Sequence, residues 1–151
     1  MSVERRPPLR AEYQAFHEMA TRWADNDNYG HMNNVVHYAL FDTAVNHWLI
    51  KHAGLDIHSS PVVGLVVESG CRYYSEMAYP DIVTAGLRVG RLGNSSVVYE
   101  VALFRNDEET AAASGFFTHV YVDRASRRPQ PLSHEWRRAL ETLLPAAGHQ
   151  S

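Results

Sequence analysis

Asp25-Asn26-Asp27-Asn28-Tyr29-Gly30-His31-Met32-Asn33-Asn34 decides how the rest of the chain is read. Its first half is packed with residues that favour turns, so the chain must break there. From Asn33 or Asn34 to about His52 no proline or glycine follows, and Gly54 then supplies a helix stop. Within that run Val35, Tyr38, Ala39, Phe41, Ala44, Val45, Trp48 and Leu49 recur at helical spacing over a wide arc. Asp42 with Asn46, and Thr43 with His47, form narrower polar rows. So broad an apolar arc predicts a mostly buried helix.

Outward from this helix the chain reads as strand. Upstream, Phe16 to Trp23 lacks glycine and proline and predicts a first strand. Downstream, Pro61 to Tyr74 is rich in valine and aromatics. Asp81 to Arg91 alternates, with Val83, Ala85, Leu87 and Val89 on one face. Ser95 to Arg105 follows the tight turn Leu92-Gly93-Asn94, and Ala111 to Asp123 follows the polar loop Asn106 to Thr110. These spacings predict consecutive hairpins, hence an antiparallel meander. Ser133 can cap a short helix running to Leu144. The expected architecture is α+β, one long helix against a curved antiparallel sheet of about five strands, as a single domain over residues 13–145. Residues 1–12 and 146–151 read as flexible tails.

Val97, Tyr99, Val101 and Leu103 share one face of their strand, while Val98, Ala102 and Phe104 share the other. Two apolar faces need two covers, and one helix supplies one. Association between subunits is the expected second cover, as a homodimer and then a dimer of dimers.

Composition narrows the function classes. The chain has 151 residues, 45% hydrophobic and 21% charged, which excludes a disordered chain. No stretch approaches about 18 uncharged apolar residues, so no membrane-spanning helix is expected. A formal charge of −3 argues against non-specific nucleic-acid binding. Met1 to Arg10 has no apolar run of a secretory signal, and the expected location is cytoplasmic. Cys71 is the single cysteine, so no intrachain disulfide or cysteine-based zinc cluster can form, and it reads as a buried inert thiol. The nine histidines show no H-E-x-x-H pattern, so no metal is expected. Nor is there a Gly-rich phosphate loop or a G-x-S-x-G elbow.

The chemistry concentrates in Asp25 to Asn34. A cap needs one residue, and this loop carries several polar candidates. A helix N-terminus offers free backbone N–H groups and partial positive charge, which can polarise a carbonyl and hold its oxyanion. A carboxylate just upstream can attack that carbonyl or take a proton from water. Hydrolysis of an ester or thioester suits the pairing.

Those ten residues, leading into a helix containing Tyr38, resemble the signature of hotdog-fold acyl-CoA thioesterases. More narrowly they resemble the 4-hydroxybenzoyl-CoA thioesterase-like branch, with its D-x-D-x-x-G-H-x-N-N pattern. Plant acyl-ACP thioesterases share the later part of it. The resemblance extends over the strand–helix–four-strand order, roughly residues 14–125. It implies Asp27 as catalytic carboxylate, general base or nucleophile, and Asn34 as the position whose backbone N–H polarises the thioester carbonyl. It places His31 and Asn33 at positions that shape the loop and orient Asp27 or water, with Asp25 as loop support. Met32 stands where that family often has valine.

The resemblance further implies coenzyme A contacts from Arg91, Asn94, Ser95 and Ser96, next to a turn like the family's Gly-x-Ser type. Glu68 is a candidate second carboxylate near the neighbouring subunit's helix end. Coenzyme A would enter as part of the acyl-CoA substrate, with no separate cofactor. Tyr73, Tyr74, Met77 and Tyr79 are candidates for an acyl pocket. Two other functions compete: a non-catalytic acyl-CoA or acyl-carrier binding module, and a hotdog hydratase or dehydratase. The hydratase reading suffers from the lack of a proline-rich loop around His31.

Overall fold

The computed structural model describes residues 6–145. Its elements, in chain order, are β1 (Ala15–Ala20), α1 (Asn34–His52), β2 (Val62–Tyr73), β3 (Ile82–Leu92), β4 (Ser96–Arg105), β5 (Ala113–Asp123) and α2 (His134–Glu141). The helix starts where an asparagine can cap it: the Asn33 side chain accepts from the Val35 N–H at 3.1 Å. It stops just before Gly54, whose φ of +71° a residue with a Cβ rarely adopts.

All five strands form one antiparallel sheet in the order β1-β3-β4-β5-β2. The expected meander therefore holds for β3, β4 and β5 only. β2 lies beyond β5 at the sheet edge, so the link from Tyr74 to Asp81 is a crossover, not a hairpin. That link passes the start of α1, where the Met32 N–H donates to the Met77 carbonyl at 2.7 Å and Met77 is buried. Its apolar anchor ties it to the core instead of letting it turn back on itself.

Phe41, Ala44, Val45, Trp48 and Leu49 of α1 are buried against Val83, Ala85 and Leu87 of β3, Val97, Tyr99, Val101 and Leu103 of β4, and Phe117 and Tyr121 of β5. The arc is narrower than expected. Val35 is 67% exposed and Ala39 is exposed as well, because the sheet of one chain wraps only one side of the helix. Leu140 of α2 and Leu143 just past it close the end of the core, and the Leu143 carbonyl accepts the Val89 N–H at 2.9 Å. The helix ends at Glu141, short of the expected Leu144.

The second apolar face also departs from expectation. Ala102 and Phe104 are covered by Tyr13 and Ala111 of the same chain. Gly86 makes room for this: a Cβ there would lie 2.9 Å from the Tyr13 Cβ. Residues 8–12, expected within a flexible tail, are tied down instead. The Pro8 carbonyl accepts from Ala111 N–H at 2.9 Å, Arg10 N–H donates to Glu109 O at 2.9 Å, and the Arg10 guanidinium sits 4.9 Å from the Phe104 ring centroid. Residues 1–5 of that tail and the expected tail 146–151 lie outside the described residues.

Two core histidines are expected to make stability depend on pH. His119 is buried beside a Tyr99–Tyr121 hydroxyl pair at 2.7 Å, and His37 is a buried residue of the first turn of α1. Burial holds both imidazoles below their ordinary pKa, outweighing Asp42 near His119 and the Asn34 and Asn33 backbone near His37. Unfolding restores their affinity for protons, so this stability is complete above about pH 6.5 and is lost as pH falls below it. Each histidine contributes a slope of at most about 1.4 kcal/mol per pH unit. Urea unfolding between about pH 7 and pH 5 should show this loss. His119→Gln should make the dependence shallower, and equal slopes in both proteins would exclude His119 as its source.

Candidate active site

The Asp25–Asn34 loop is held from within. Asp25 is buried, and its carboxylate accepts from the Arg22 backbone N–H at 2.8 Å and the Arg22 guanidinium at 2.7 Å. Its carbonyl takes the Asn33 N–H at 2.8 Å, closing the loop onto the helix cap. Asp25 is thus a support, as expected. Asn26 anchors the other side, its Oδ1 accepting the Tyr79 N–H at 3.0 Å.

Between these anchors Asp27 sits on a tight turn. Its N–H donates to the His31 carbonyl at 2.7 Å, and Gly30 supplies the left-handed φ of +83°. Asp27 Oδ1 accepts from the N–H groups of Tyr29 (2.9 Å) and His31 (3.2 Å). Oδ2 has no hydrogen-bond partner among the described residues. One carboxylate oxygen is therefore anchored and the other is unpartnered.

The helix start offers the complement. Asn33 occupies the Val35 N–H through its side chain and the Val36 N–H, at 2.9 Å, through its carbonyl. The Asn34 N–H is left without an acceptor among the described residues, at the positive end of α1. Asp27, His31, Asn33 and Asn34 all line one cavity of about 450 Å³.

His37, Tyr73, Ser75, Glu76 and Met77 complete its walls. The His31 ring lies 2.9 Å from the Glu76 carboxylate, so it engages the opposite wall. Of the acyl-pocket candidates, Tyr73 and Met77 line the cavity. Tyr74 turns to the other face, where its hydroxyl pairs with Ser114 at 3.1 Å, and Tyr79 meets Trp23 edge-on. His37, Ser75 and Glu76 carry no motif signal; His37 comes with the first turn of α1, and the crossover of the β2–β3 link brings Ser75 and Glu76 here.

The remaining expected residues stand elsewhere in the chain. Val62, Gly64 and Val66 alternate towards the helix face, which would bring Glu68 inward as well. A bulge between Val66 and Glu68 reverses the alternation, and Glu68 pairs with Thr118 on the outer face, exposed. Arg91, Asn94, Ser95 and Ser96 lie at the β3–β4 turn, roughly 30 Å along β3 from the cavity end. Backbone contacts shape that turn: Arg137 reaches the Gly93 carbonyl at 2.7 Å, and the Ser95 carbonyl accepts from Tyr121 N–H at 2.8 Å. Within one chain neither Glu68 nor the turn meets Asp27.

Cys71 is half-buried, and burial pushes its thiol pKa up, which suits an inert thiol. Among the described residues no three His, Cys, Asp or Glu side chains are grouped to hold a metal ion, and no helix is long and apolar enough to cross a membrane.

The family model described as the thioesterase-like superfamily matches residues 21–140. The chain belongs to this family. This thioesterase-like chain is 52% identical to the PA5185 protein of Pseudomonas aeruginosa, over 93% of its own length and 99% of that chain, with a TM-score of 0.90. The PA2801 protein of Pseudomonas aeruginosa is 28% identical, over 84% and 98% of the two chains, with a TM-score of 0.79. The SAV2348 protein of Staphylococcus aureus, determined in complex with CoA, shares the fold at 17% identity over 99% and 98%, with a TM-score of 0.79. No curated protein matches the chain. Family and neighbours bear out the expected hotdog arrangement, its 4-hydroxybenzoyl-CoA thioesterase-like relationship and the enzyme class, a thioesterase.

Proposed function

We propose that this thioesterase-like protein hydrolyses acyl-CoA thioesters with Asp27 and the Asn34 N–H as its reacting pair. One observation carries the reading: a half-anchored carboxylate and an unoccupied helix N-terminal N–H line the same cavity. The thioester carbonyl oxygen accepts from the Asn34 N–H, and the helix dipole stabilises negative charge as the carbonyl is attacked. Asp27 Oδ2 either attacks the carbonyl carbon or removes a proton from the water that does. The C–S bond breaks and the thiolate takes up a proton and leaves as coenzyme A. Where water attacks, the free acid forms in the same step; where Asp27 attacks, water then hydrolyses the acyl-Asp27 anhydride, which frees the acid and restores the carboxylate. Turnover in ¹⁸O-labelled water separates the routes: label incorporated into Asp27 marks the nucleophile, while label in the acid alone, with no acyl-enzyme trapped by hydroxylamine, marks the base.

The working unit in this reading is a homodimer. β2 is an open edge strand whose Val66 and Val67 are 52% and 59% exposed, and such edges pair with a second strand. A partner also offers the route by which a turn holding Arg91, Asn94, Ser95 and Ser96 meets a substrate seated at Asp27. The CoA bound by the SAV2348 protein supports coenzyme A as the carrier. Two measurements test the proposal. Free-thiol release should appear with at least one of an aromatic, a short-chain and a long-chain acyl-CoA, and solution mass should be that of a dimer or tetramer. Binding of intact thioester without thiol release would leave a binding module, and an active monomer would remove the partner from the site.

A further inference from the structure

The geometry points to Tyr73 and His37 as positioning residues that clamp Asn34, so that its N–H stays aimed into the cavity; this rests on the role proposed above for that N–H. A carbonyl in the first turn of a helix ordinarily serves the N–H four residues on. The Asn34 carbonyl also accepts a hydrogen bond from the Tyr73 hydroxyl at 3.1 Å, across thirty-nine residues of sequence. Tyr73 is the last residue of the edge strand β2 and is 48% exposed.

The same ring holds the helix a second way. It meets the His37 imidazole edge to face, with centroids 4.8 Å apart and planes at 86°. His37 is buried, and its Nδ1 is closed off from solvent without a well-formed hydrogen bond. An unpartnered nitrogen makes a poor core side chain. A ring is nevertheless what fills the space between Tyr73 and the helix. A rotation of the first turn about the helix axis would break the hydroxyl bond and slide the two rings apart together. Asn33 pins the same turn from the loop side through Val35. Asn34 is thus gripped on both flanks while its own N–H stays free.

Tyr73→Phe removes the hydroxyl and keeps the ring against His37. Expected with benzoyl-CoA and hexanoyl-CoA as probes is a fall of about ten-fold in kcat with KM within about two-fold, as for a misaimed donor. His37→Ala should fall similarly, and His37→Phe should recover most of the loss. The second readout is hydrogen exchange at the His37 and Tyr38 amides, expected to quicken about five-fold in Tyr73→Phe, the equivalent of one hydrogen bond. A change in KM alone would make Tyr73 a wall of the acyl pocket and overturn the clamp. Unchanged exchange would overturn it as well. If the wild type releases no thiol from either probe, the hydrolysis reading loses its support while the exchange measurement still decides the clamp.

Discussion

Asp27→Asn should reduce kcat on a good acyl-CoA by about 10²–10⁴, the range for loss of a positioned acid–base group, with KM little changed. Asparagine is the sharper substitution because the two oxygens of Asp27 do different work. Oδ1 accepts from the Tyr29 and His31 N–H groups, and an asparagine Oδ1 can keep both bonds and the turn. What disappears is the charge and basicity of Oδ2. Asp27→Ala should lose the same activity but also the turn's two acceptor contacts, at about 0.5–1.5 kcal/mol each for partly exposed bonds. The difference between the variants separates chemistry from loop support. Turnover by Asp27→Asn within ten-fold of wild type would remove Asp27 from the reaction. His31→Ala should cost less, since its ring meets Glu76 across the cavity.

What the sequence reveals about this site follows chain continuity. Asp27, His31, Asn33 and Asn34 are close in space because they are close in sequence, within one turn and one helix cap. Turn chemistry and capping rules act at that range. The helix limits are legible for the same reason, Asn33 at the start and Gly54 past the end. The outward face of Glu68 is not legible locally, because the bulge before it turns on pairing with β5 and a strand's own residues do not announce it. β2 is misplaced because the length of the Tyr74–Asp81 link fits a hairpin or a crossover equally well. Only the burial of Met77 against the helix entry selects the second. Tyr13 is unexpected as a cover for Phe104 because it stands in a polar stretch, and the space it fills is opened by Gly86, far along the chain.

The largest loss of stability is expected at Gly115 of β5, where the Phe41 ring of α1 lies against the strand backbone. A Cβ there would lie 2.5 Å from one carbon of the Phe41 ring and 2.9 Å from another, and would also run into the Gly70 backbone carbonyl on β2. Phe41 is fully buried, with no open space to swing into. Overpacking of a core side chain typically costs about 1–3 kcal/mol. Here backbone is struck as well, so Gly115→Ala should sit at or above the upper end of that range, and Gly115→Val should not fold. The two clashes can be separated. Phe41→Leu in the Gly115→Ala background relieves the ring contact and leaves the carbonyl contact, so the double variant should recover only part of the urea midpoint. Full recovery would mean that the ring alone sets the limit; no recovery would mean that the Gly70 carbonyl does. Either clash pushes α1 off the sheet or β2 off β5, and both support the cavity, one through Asn34 and the other through Tyr73. Activity in Gly115→Ala should therefore fall further than the folded fraction does, whereas a fall in strict proportion would show that the helix can sit higher on the sheet without moving the site.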